Sequence, residues 1–396
     1  MQSFAEAGVS PRTLGALAAQ SITVPVKIQA EAIPALIAGR DVVIEAPTGS
    51  GKTLAFLVPL AERFGSPAPG PRALILTPTR ELAMQVAGVL KGMDTNLRCA
   101  LLYGGIGYAT QTAALKAGAD VVVGTPGRTL DMIGRKQLSL SRVEYLVLDE
   151  ADEMLDAGFA PDVERLLGLT YQPQTVLASA TMPEWVSRMI AKHTQDPCRI
   201  EAETEGENLL DHGLLRVERS AKLGALSNLL HSHPGAAIVF GRTKHGVRKL
   251  NRDLNRMGHD SVELQGDLSQ PVRDRAMAAF REGRTRVLVA TNVAARGLDI
   301  SHVDLVINFE LPETPGWLTH RVGRTARMGQ TGRALTFVSP EDEQAWRRLR
   351  QLGAPDLKDI NGGTAPAGAP VTSVRTGQSR RRRRPRRRQR PATAVA

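Results

Sequence analysis

Residues 44–53 decide the fold, and they read Ile44-Glu45-Ala46-Pro47-Thr48-Gly49-Ser50-Gly51-Lys52-Thr53. The apolar run that leads into them, 42–44, predicts a buried strand that ends at a tight turn. Glycines at 49 and 51 let the backbone turn its N–H groups inward, and a helix opened by Thr53 adds a favourable dipole for an anion. This order of strand, loop and helix predicts a nucleoside triphosphate site. An ordinary glycine-rich turn is the alternative.

The loop residues have separate predicted tasks. Lys52 is expected to neutralise the β- and γ-phosphates, and the Thr53 hydroxyl is expected to ligate Mg²⁺. The general pattern asks for glycine where Ala46 stands, but a methyl group is small enough for this turn. The residues predicted to bind the phosphates are Thr48, Gly49, Ser50, Gly51, Lys52 and Thr53.

The composition favours a protein of a reducing compartment. The 396 residues suggest two or three domains, and two cysteines, Cys99 and Cys198, are too few for a disulfide framework or a zinc site. The amino terminus lacks the basic start and apolar core of a signal peptide. No run reaches the roughly eighteen apolar residues of a membrane span. We therefore expect a soluble, cytoplasmic protein.

The net charge of +11 belongs to the carboxyl terminus. Ten arginines and no acidic residue lie from Arg375 onward, so residues 1–374 carry only +1. A run of this kind cannot bury a core and is expected to stay extended. It predicts an unspecific tether for nucleic-acid phosphates. A tail that only improves solubility is the alternative.

Short apolar runs alternate with helical stretches twice, between 41 and 200 and again between 213 and 340. This alternation predicts two α/β domains, each with a parallel sheet. A polar, acidic stretch separates them, and the end of the chain turns to glycine, alanine, proline and arginine. The predicted division is a first domain over 1–202, a linker over 203–212, a second domain over 213–357 and a disordered tail over 358–396.

A group of carboxylates, Asp149, Glu150 and Asp152, follows the apolar strand predicted at 145–148. A carboxylate at the carboxyl end of a strand beside a phosphate loop suits the Mg²⁺ shell, which predicts that role for Asp149. Glu150 is predicted to orient and deprotonate the attacking water. Taken alone, these acids would also fit a helix N-terminus, where negative charge is favoured.

With Asp149-Glu150-Ala151-Asp152 behind a phosphate loop, the chain resembles the DEAD-box RNA helicases of superfamily 2, of bacterial type. The resemblance covers roughly residues 4–340, with the motifs in family order. It implies two tandem RecA-like domains that bind ATP, Mg²⁺ and RNA, followed by a disordered basic tail. The other matching motifs lie at 78–83, 104–105, 125–128, 179–181, 239–243, 270–273, 290–299 and 320–327.

The resemblance also implies roles for individual residues. Arg324 and Arg327 would contact the γ-phosphate as arginine fingers, and Asp299 would contact the ATP ribose. His320, Arg324 and Arg327 stand at i, i+4 and i+7, which predicts one face of a helix; a solvated basic helix is the alternative. The residues implied to couple hydrolysis to strand separation are Asp152, Ser179, Thr181 and His320.

Adenine recognition is implied upstream of the phosphate loop. The Gln29 amide offers the donor and the acceptor that adenine requires, and Ile22 stands where the family often has a stacking aromatic. Val26 stands where the family has Thr or Ser, so weaker adenine selectivity is expected. Asn292 and Glu310 replace family aspartates, and these conservative changes leave the predicted activity unchanged.

Small hydrogen-bond donors and two arginines are implied to hold the RNA backbone. Such groups suit phosphate and ribose oxygens but cannot read base edges, so sequence-independent binding is predicted. Contacts to the 2′-hydroxyl would favour RNA over DNA. For each threonine the alternative is a helix N-cap. The implied RNA-binding residues are Thr79, Arg80, Gly105, Thr125, Arg128 and Thr291.

Three functions follow from these motifs. The main prediction is an RNA-stimulated ATP hydrolase whose closure separates short duplexes or remodels ribonucleoprotein complexes. A DNA helicase of the same superfamily is one alternative, and the motif set argues against it. An ATP-dependent RNA clamp or scaffold is the other, and it would use the same residues. The client RNA and the oligomeric state are not encoded in these motifs.

Overall fold

The computed structural model describes residues 3–360 apart from 48, 66–68, 94, 202–209, 293–302 and 327–330. Each of the two apolar alternations forms a seven-stranded sheet. All strand pairs within both sheets are parallel. The prediction of two parallel-sheet α/β domains is therefore confirmed. Most of the predicted linker and tail lies outside the described residues.

The first sheet has the strand order β3-β4-β2-β5-β6-β1-β7. Its central strands are buried along their whole length, as expected where helices cover both faces of a parallel sheet. Its strands are β1 (Val42–Glu45), β2 (Ala73–Leu76), β3 (Cys99–Leu102), β4 (Val121–Gly124), β5 (Tyr145–Asp149), β6 (Gln174–Ser179) and β7 (Cys198–Glu201).

Helices pack on both faces of this sheet and bury one hydrophobic cluster on each. One cluster includes Phe4 and Phe56, and the other includes Met154 and Trp185. The described helices are α1 (Pro11–Ala19), α2 (Lys27–Ile37), α3 (Lys52–Arg63), α4 (Arg80–Gly92), α5 (Tyr108–Lys116), α6 (Pro126–Gly134), α7 (Ala151–Asp156), α8 (Ala160–Leu167) and α9 (Glu184–His193).

The second sheet has the strand order β10-β11-β9-β12-β13-β8-β14. Its strands are β8 (Leu210–Arg216), β9 (Ala236–Gly241), β10 (Ser261–Leu264), β11 (Val287–Thr291), β12 (Val303–Asn308), β13 (Gly332–Val338) and β14 (Lys358–Asp359). Its described helices are α10 (Lys222–Ser232), α11 (Lys244–Arg256), α12 (Gln270–Arg281), α13 (Pro315–Val322) and α14 (Glu343–Gln351), with a 3₁₀ turn over Pro340–Asp342.

The last described strand carries the fold into the segment assigned to the tail. β14 pairs with β8, and a Cβ placed on Gly213 would lie 2.8 Å from Ile360 Cγ2, so Ile360 packs closely on β8. β8 itself begins inside the predicted linker. The domain bounds remain a prediction, although strand pairing extends into the predicted linker at Leu210 and into the predicted tail at Lys358 and Asp359.

The predicted motifs cluster because the carboxyl ends of parallel strands meet at one edge of each sheet. The phosphate loop follows β1, the acidic motif follows β5, and the 179–181 motif follows β6. In the second sheet, β9 and β11 end at Gly241 and Thr291, which are register partners. The fold thus brings distant sequence segments to two facing edges.

Candidate active site and RNA-binding surface

The phosphate loop turns through two left-handed glycines. Gly49 has φ 89° and Gly51 has φ 94°, a region that non-glycine residues rarely adopt. A Cβ on Gly51 would lie 2.8 Å from Gln29 Nε2 and 2.9 Å from Val26 Cγ2, so a side chain at 51 would also displace these neighbours. The helix begins at Lys52, one residue earlier than predicted for Thr53, because Gly51 is the N-cap. Ser50 Oγ donates to Pro47 O at 2.7 Å.

The Gln29 amide connects this loop to the N-cap of its own helix, α2. Its Nε2 donates to Gly51 O at 3.1 Å, and its Oε1 accepts from Val26 N at 3.1 Å. Gln29 is buried, whereas Val26 is exposed and Ile22 is half-buried against the first core cluster. The adenine role of Gln29 and Ile22 stays a prediction. The contact with Gly51 gives Gln29 a second task, which is to support the phosphate loop.

The Lys52 ammonium lies inside the loop. Its Nζ donates to Ala46 O at 2.7 Å and to Pro47 O at 3.2 Å, and it lies 3.3 Å from Glu150 Oε1. Lys52 and Glu150 are both buried, so water screens this ion pair weakly. Glu150 has φ 54°, which is uncommon for a residue with a side chain and shapes the turn from β5 into α7. The predicted phosphate-binding cation and the predicted base are therefore neighbours.

Asp149 ends β5 and is buried. Burial and the nearby charge of Glu150 raise the pKa of Asp149 to about 7, against the lowering effect of Lys52. A divalent cation would favour the ionised carboxylate, so this acid fits the predicted Mg²⁺. The described residues contain no group of three or more His, Cys, Asp or Glu that could hold a metal. Mg²⁺ suits such a site because it usually takes few protein ligands together with phosphates and water.

Asp152 connects the acidic motif to the 179–181 motif. Its Oδ2 accepts from Thr181 N at 2.9 Å and from Thr181 Oγ1 at 2.7 Å. Its own N–H donates to Ser179 Oγ at 3.2 Å, and that hydroxyl donates to Thr181 O at 2.7 Å. The predicted coupling residues of the first domain therefore form one hydrogen-bonded group.

His320, on α13, reaches the same group from the second sheet. Its Nε2 lies 3.3 Å from Asp152 Oδ2, and its Nδ1 lies 2.8 Å from Glu153 Oε1. Burial alone would lower the pKa of His320, but the hydrogen bonds to these carboxylates raise it to about 10. Burial works against the charge of Asp152 too, yet the contact with His320 holds its pKa below the usual range. His320 is thus a charged bridge between the domains.

Arg324 lies beside this bridge, but not on the predicted helix face. Its Nη2 is 3.8 Å from Glu153 Oε1, and its Nε donates to His320 O at 3.2 Å. The helix ends at Val322, because Gly323 is its C-cap and the chain turns there. The prediction that spacing places His320 and Arg324 on one helix is wrong for Arg324. Three predicted ATP-binding residues, Thr48, Asp299 and Arg327, lie outside the described residues.

Asn292 and Glu310, which replace family aspartates, lie around the buried guanidinium of Arg321. Its Nε donates to Asn292 Oδ1 at 2.6 Å, and its Nη1 donates to Asn308 Oδ1 at 3.1 Å and to Glu310 O at 2.7 Å. These three acceptors are neutral oxygens. Burial lowers the pKa of Arg321 to about 9, against the raising effect of nearby glutamates.

The first group of predicted RNA-binding residues lies around α4. Thr79 is the N-cap of α4, and its hydroxyl accepts from Leu82 N at 3.2 Å, so the capping alternative holds for its side chain. A Cβ on Gly105, which has φ 85°, would lie 2.7 Å from Arg80 Nη1. Arg80 also donates to Gln270 of the second domain. Its guanidinium is therefore shared between the 104–105 motif and the facing domain.

The second group lies at strand ends. Thr125 follows β4 and precedes α6 without a side-chain capping bond, so its hydroxyl is not used as a helix cap. Arg128 donates to Ile106 O at 3.2 Å and 3.3 Å through its two Nη atoms, and its Cζ lies 4.4 Å from the Tyr108 ring centroid. Thr291 ends β11 and is mostly buried. The RNA roles of these residues stay predictions.

Sequence reasoning missed four residues that join the domains. Arg273 and Glu81 form an ion pair at 2.6 Å between α12 and α4, and both belong to motifs already identified by resemblance. Glu153 follows the acidic motif directly and is almost fully buried. The only sequence signal for all four is their position within or beside a motif. The missed residues are Glu81, Glu153, Gln270 and Arg273.

Within the part of the chain that the structure describes, no helix is long and apolar enough to cross a membrane.

Two family descriptions match this chain. Residues 26–189 match the DEAD/DEAH box helicase family, and residues 221–329 match the helicase conserved C-terminal domain. The ATP-dependent RNA helicase DeaD of Mycobacterium tuberculosis is 42% identical over 373 residues, which are 90% of this chain and 66% of that protein. The DEAD-box ATP-dependent RNA helicase CshA of Bacillus subtilis is 42% identical over 330 residues, with 82% of this chain and 67% of that protein covered.

A solved structure has the same architecture. The structure of S. cerevisiae Dbp5 bound to RNA and ADP BeF3 superposes with a TM-score of 0.78 at 32% sequence identity. The match covers 91% of this chain and 96% of the Dbp5 chain. The fold and the joined motifs define the class of proteins with tandem RecA-like domains. Within that class, the matches show that the chain belongs to the DEAD-box family of ATP-dependent RNA helicases. It spans just under two thirds of the M. tuberculosis relative, 66%.

Proposed function

We propose that this chain is an RNA-stimulated ATP hydrolase that separates short RNA duplexes or remodels RNA–protein complexes. The observation that carries the proposal is the bridge from His320 to Asp152 and Glu153. It connects the second domain directly to the helix that follows the predicted base. A change at the nucleotide can therefore alter the contact between the domains, and the reverse also holds.

ATP binding is assigned to the loop after β1. The N–H groups at the start of α3 and the Lys52 ammonium would hold the phosphates, and Gln29 and Ile22 would contact adenine. Thr53 and Asp149 would hold Mg²⁺, which neutralises phosphate charge when it is bound. Glu150 would orient the attacking water and accept its proton.

The catalytic site is completed when the two domains close on each other. Arg324 lies beside Glu153, and Arg327 follows it by three residues, so both can serve as arginine fingers for the γ-phosphate. Asp299 would contact the ribose. The coupling group of Asp152, Ser179 and Thr181 would pass the state of the nucleotide to the RNA-binding surface through His320.

RNA is the proposed partner, bound through its backbone and without sequence preference. The small donors and arginines at the strand ends suit phosphate and ribose oxygens, and the domain contact from Arg80 to Gln270 lies among them. Ribonucleoprotein complexes are further proposed substrates of the same activity. The proposal assigns this work to the cytoplasm, where ATP and RNA are both present.

The test is ATP hydrolysis by the full chain with no nucleic acid, with single-stranded RNA and with DNA of the same sequence. We expect slow hydrolysis alone, strong stimulation by RNA and little by DNA. Release of a labelled strand from a short RNA duplex is measured in parallel, with a slowly hydrolysed ATP analogue as the control.

Each other outcome selects a different function. Equal stimulation by DNA would favour the DNA helicase, and stimulation by RNA without strand release would favour the clamp. A chain that hydrolyses ATP at the same rate with and without nucleic acid would contradict the proposal.

A further inference from the structure

One face of α11 carries a concentrated positive charge. Three apolar residues, Val247, Leu250 and Leu254, face the sheet and are buried in a hydrophobic cluster with strands of the second sheet. Asp253 is the only acidic residue of the helix. The remaining face, here called the α11 basic face, consists of Lys244, Arg248, Lys249, Arg252 and Arg256, all of which are exposed.

The charge of this helix stands out from the rest of the folded chain. With five basic residues and one acidic residue, α11 carries a formal +4, whereas residues 1–360 together carry +1. The remainder of that region therefore carries −3. A polyanion that approaches the folded region is attracted to a local cationic patch more than to the molecule as a whole.

Lys244 Nζ donates to Asp267 Oδ1 at 2.5 Å, whereas the ion pairs of the three arginines on this face are long and exposed. Arg248 Nε lies 3.9 Å from Glu263, Arg252 Nε lies 3.8 Å from Asp253, and Arg256 Nη1 lies 3.6 Å from Asp253. The three arginine side chains are 58%, 59% and 69% exposed. Exposed pairs of this kind contribute little to stability. The guanidiniums can therefore exchange these carboxylates for phosphates at small cost.

The α11 basic face begins at the predicted RNA-binding edge of the second sheet. Thr243 is the N-cap of α11, and its hydroxyl accepts from Gly246 N at 3.0 Å. Two residues earlier, Gly241 ends β9 as the register partner of Thr291. Positions 244, 248, 252 and 256 follow one another at i, i+4 spacing, so they form a row about 18 Å long that leads away from this edge.

We propose that the α11 basic face binds the sugar–phosphate backbone of RNA that continues beyond the segment held between the domains. This inference rests on the proposed function, because it extends the same RNA-binding edge. The face has no Phe, Tyr or Trp for base stacking, so it recognises charge and not sequence. Continuity with Thr243 and Thr291 favours RNA over an acidic protein as the occupant.

The test compares two triple variants of the full chain that lose the same charge. The first is Lys249→Gln, Arg252→Gln, Arg256→Gln on α11. The control is Arg347→Gln, Arg348→Gln, Arg350→Gln on the exposed side of α14. The affinity for a labelled single-stranded RNA is measured across salt concentrations without nucleotide, once with a long RNA and once with a short oligomer.

The α11 triple should weaken binding of the long RNA about tenfold or more at low salt. It should also lower the slope of log affinity against log salt by about 2, since three contacts contribute about 0.7 each. The short oligomer, which ends between the domains, should bind with unchanged affinity. The α14 triple should match the unaltered chain throughout. Because three changes could loosen the helix, Arg256→Gln alone is the second variant, with a slope about 0.7 lower.

If the α11 variants match the α14 triple in affinity and slope, the helix does not touch RNA and the proposal is overturned. The same result is expected if the α11 basic face binds an acidic protein instead of RNA. The proposed function is judged separately, by RNA stimulation of ATP hydrolysis in the unaltered chain. Failure there would leave the binding comparison valid as a test of the helix.

Discussion

His320 Nδ1 and Glu153 Oε1 lie 2.8 Å apart across 167 residues of sequence, and both side chains are buried. Glu153 stands three residues after the predicted base, Glu150, on the helix that the acidic motif opens. His320 stands four residues before Arg324, a predicted arginine finger. This contact therefore joins the two halves of the proposed catalytic machinery directly.

The stability that His320 contributes should be lost at alkaline pH. Its hydrogen bonds outweigh burial and raise its pKa from 6.5 to about 10. The folded state holds this proton more tightly, so the contribution is complete below about pH 6.5 and declines as the pH rises through about 10. The measurement is the free energy of unfolding of the unaltered chain minus that of His320→Gln, which should be about 3 kcal/mol at neutral pH. A difference that stays constant from pH 7 to 10 would mean that His320 is neutral in the folded protein.

Glu150→Gln should stop hydrolysis and leave ATP binding nearly intact. The amide keeps the shape of the side chain and one oxygen for Lys52, but it cannot accept the proton of water, so turnover should fall about 10²-fold or more. Lys52→Ala should lose turnover as well, because it removes the cation that faces the phosphates. ATP hydrolysis rates and titration with a fluorescent nucleotide separate the two effects. Normal turnover in Glu150→Gln would assign the base to another residue.

Val26→Thr should stabilise the first domain by about 1 kcal/mol. Val26 is the N-cap of α2 with an extended backbone, φ −73° and ψ 164°, but its side chain cannot accept a hydrogen bond. A threonine hydroxyl there can accept from an unpaired N–H group of the first turn. The control is Val24→Thr, the same change at an exposed position two residues earlier. Denaturant unfolding measures the stability of both variants. Equal unfolding midpoints would contradict the capping argument.

Removal of residues 375–396 should raise the RNA concentration for half-maximal ATP hydrolysis and reduce its salt dependence. Ten arginines leave with this segment, and each phosphate contact contributes about 0.7 to the salt slope on a single strand. The maximal rate should not change, because every predicted catalytic residue precedes the segment. A chain of full length with glutamine at these ten positions separates charge from length. An unaltered salt slope in both proteins would leave the segment without a role in RNA binding.

The phosphate loop and the acidic motif could be predicted from sequence because their signals are local. An apolar strand, a glycine turn and a charged residue at the strand end occur within a few residues of one another. The apolar strands could be predicted for the same reason. The edge strands β7 and β14 are short and carry charged residues, so no apolar run marks them in the sequence, and their pairing depends on tertiary contacts.

The contacts between the domains could not be predicted in the same way. Arg273 and Glu81 pair across 192 residues of sequence, and neither residue lies in a local sequence pattern that predicts the other as its partner. The end of α13 was missed because helical spacing continues through Gly323, while the backbone turns there. Resemblance located the motifs, but only the folded chain shows which motif residues touch.

The shared strand order of the two sheets has an evolutionary consequence. Each strand of the second sheet stands where its counterpart seven strands earlier stands in the first, so β8 corresponds to β1 and α10 to α3. Lys222 then occupies the place of Lys52 at the start of its helix. Its Nζ lies 2.6 Å from Asp342 and 3.4 Å from Phe309 O, just beyond β12, the counterpart of β5. This correspondence is what duplication of one ancestral unit would leave: in the first unit Lys52 lies inside a glycine loop beside Glu150, and in the second the corresponding lysine pairs with Asp342.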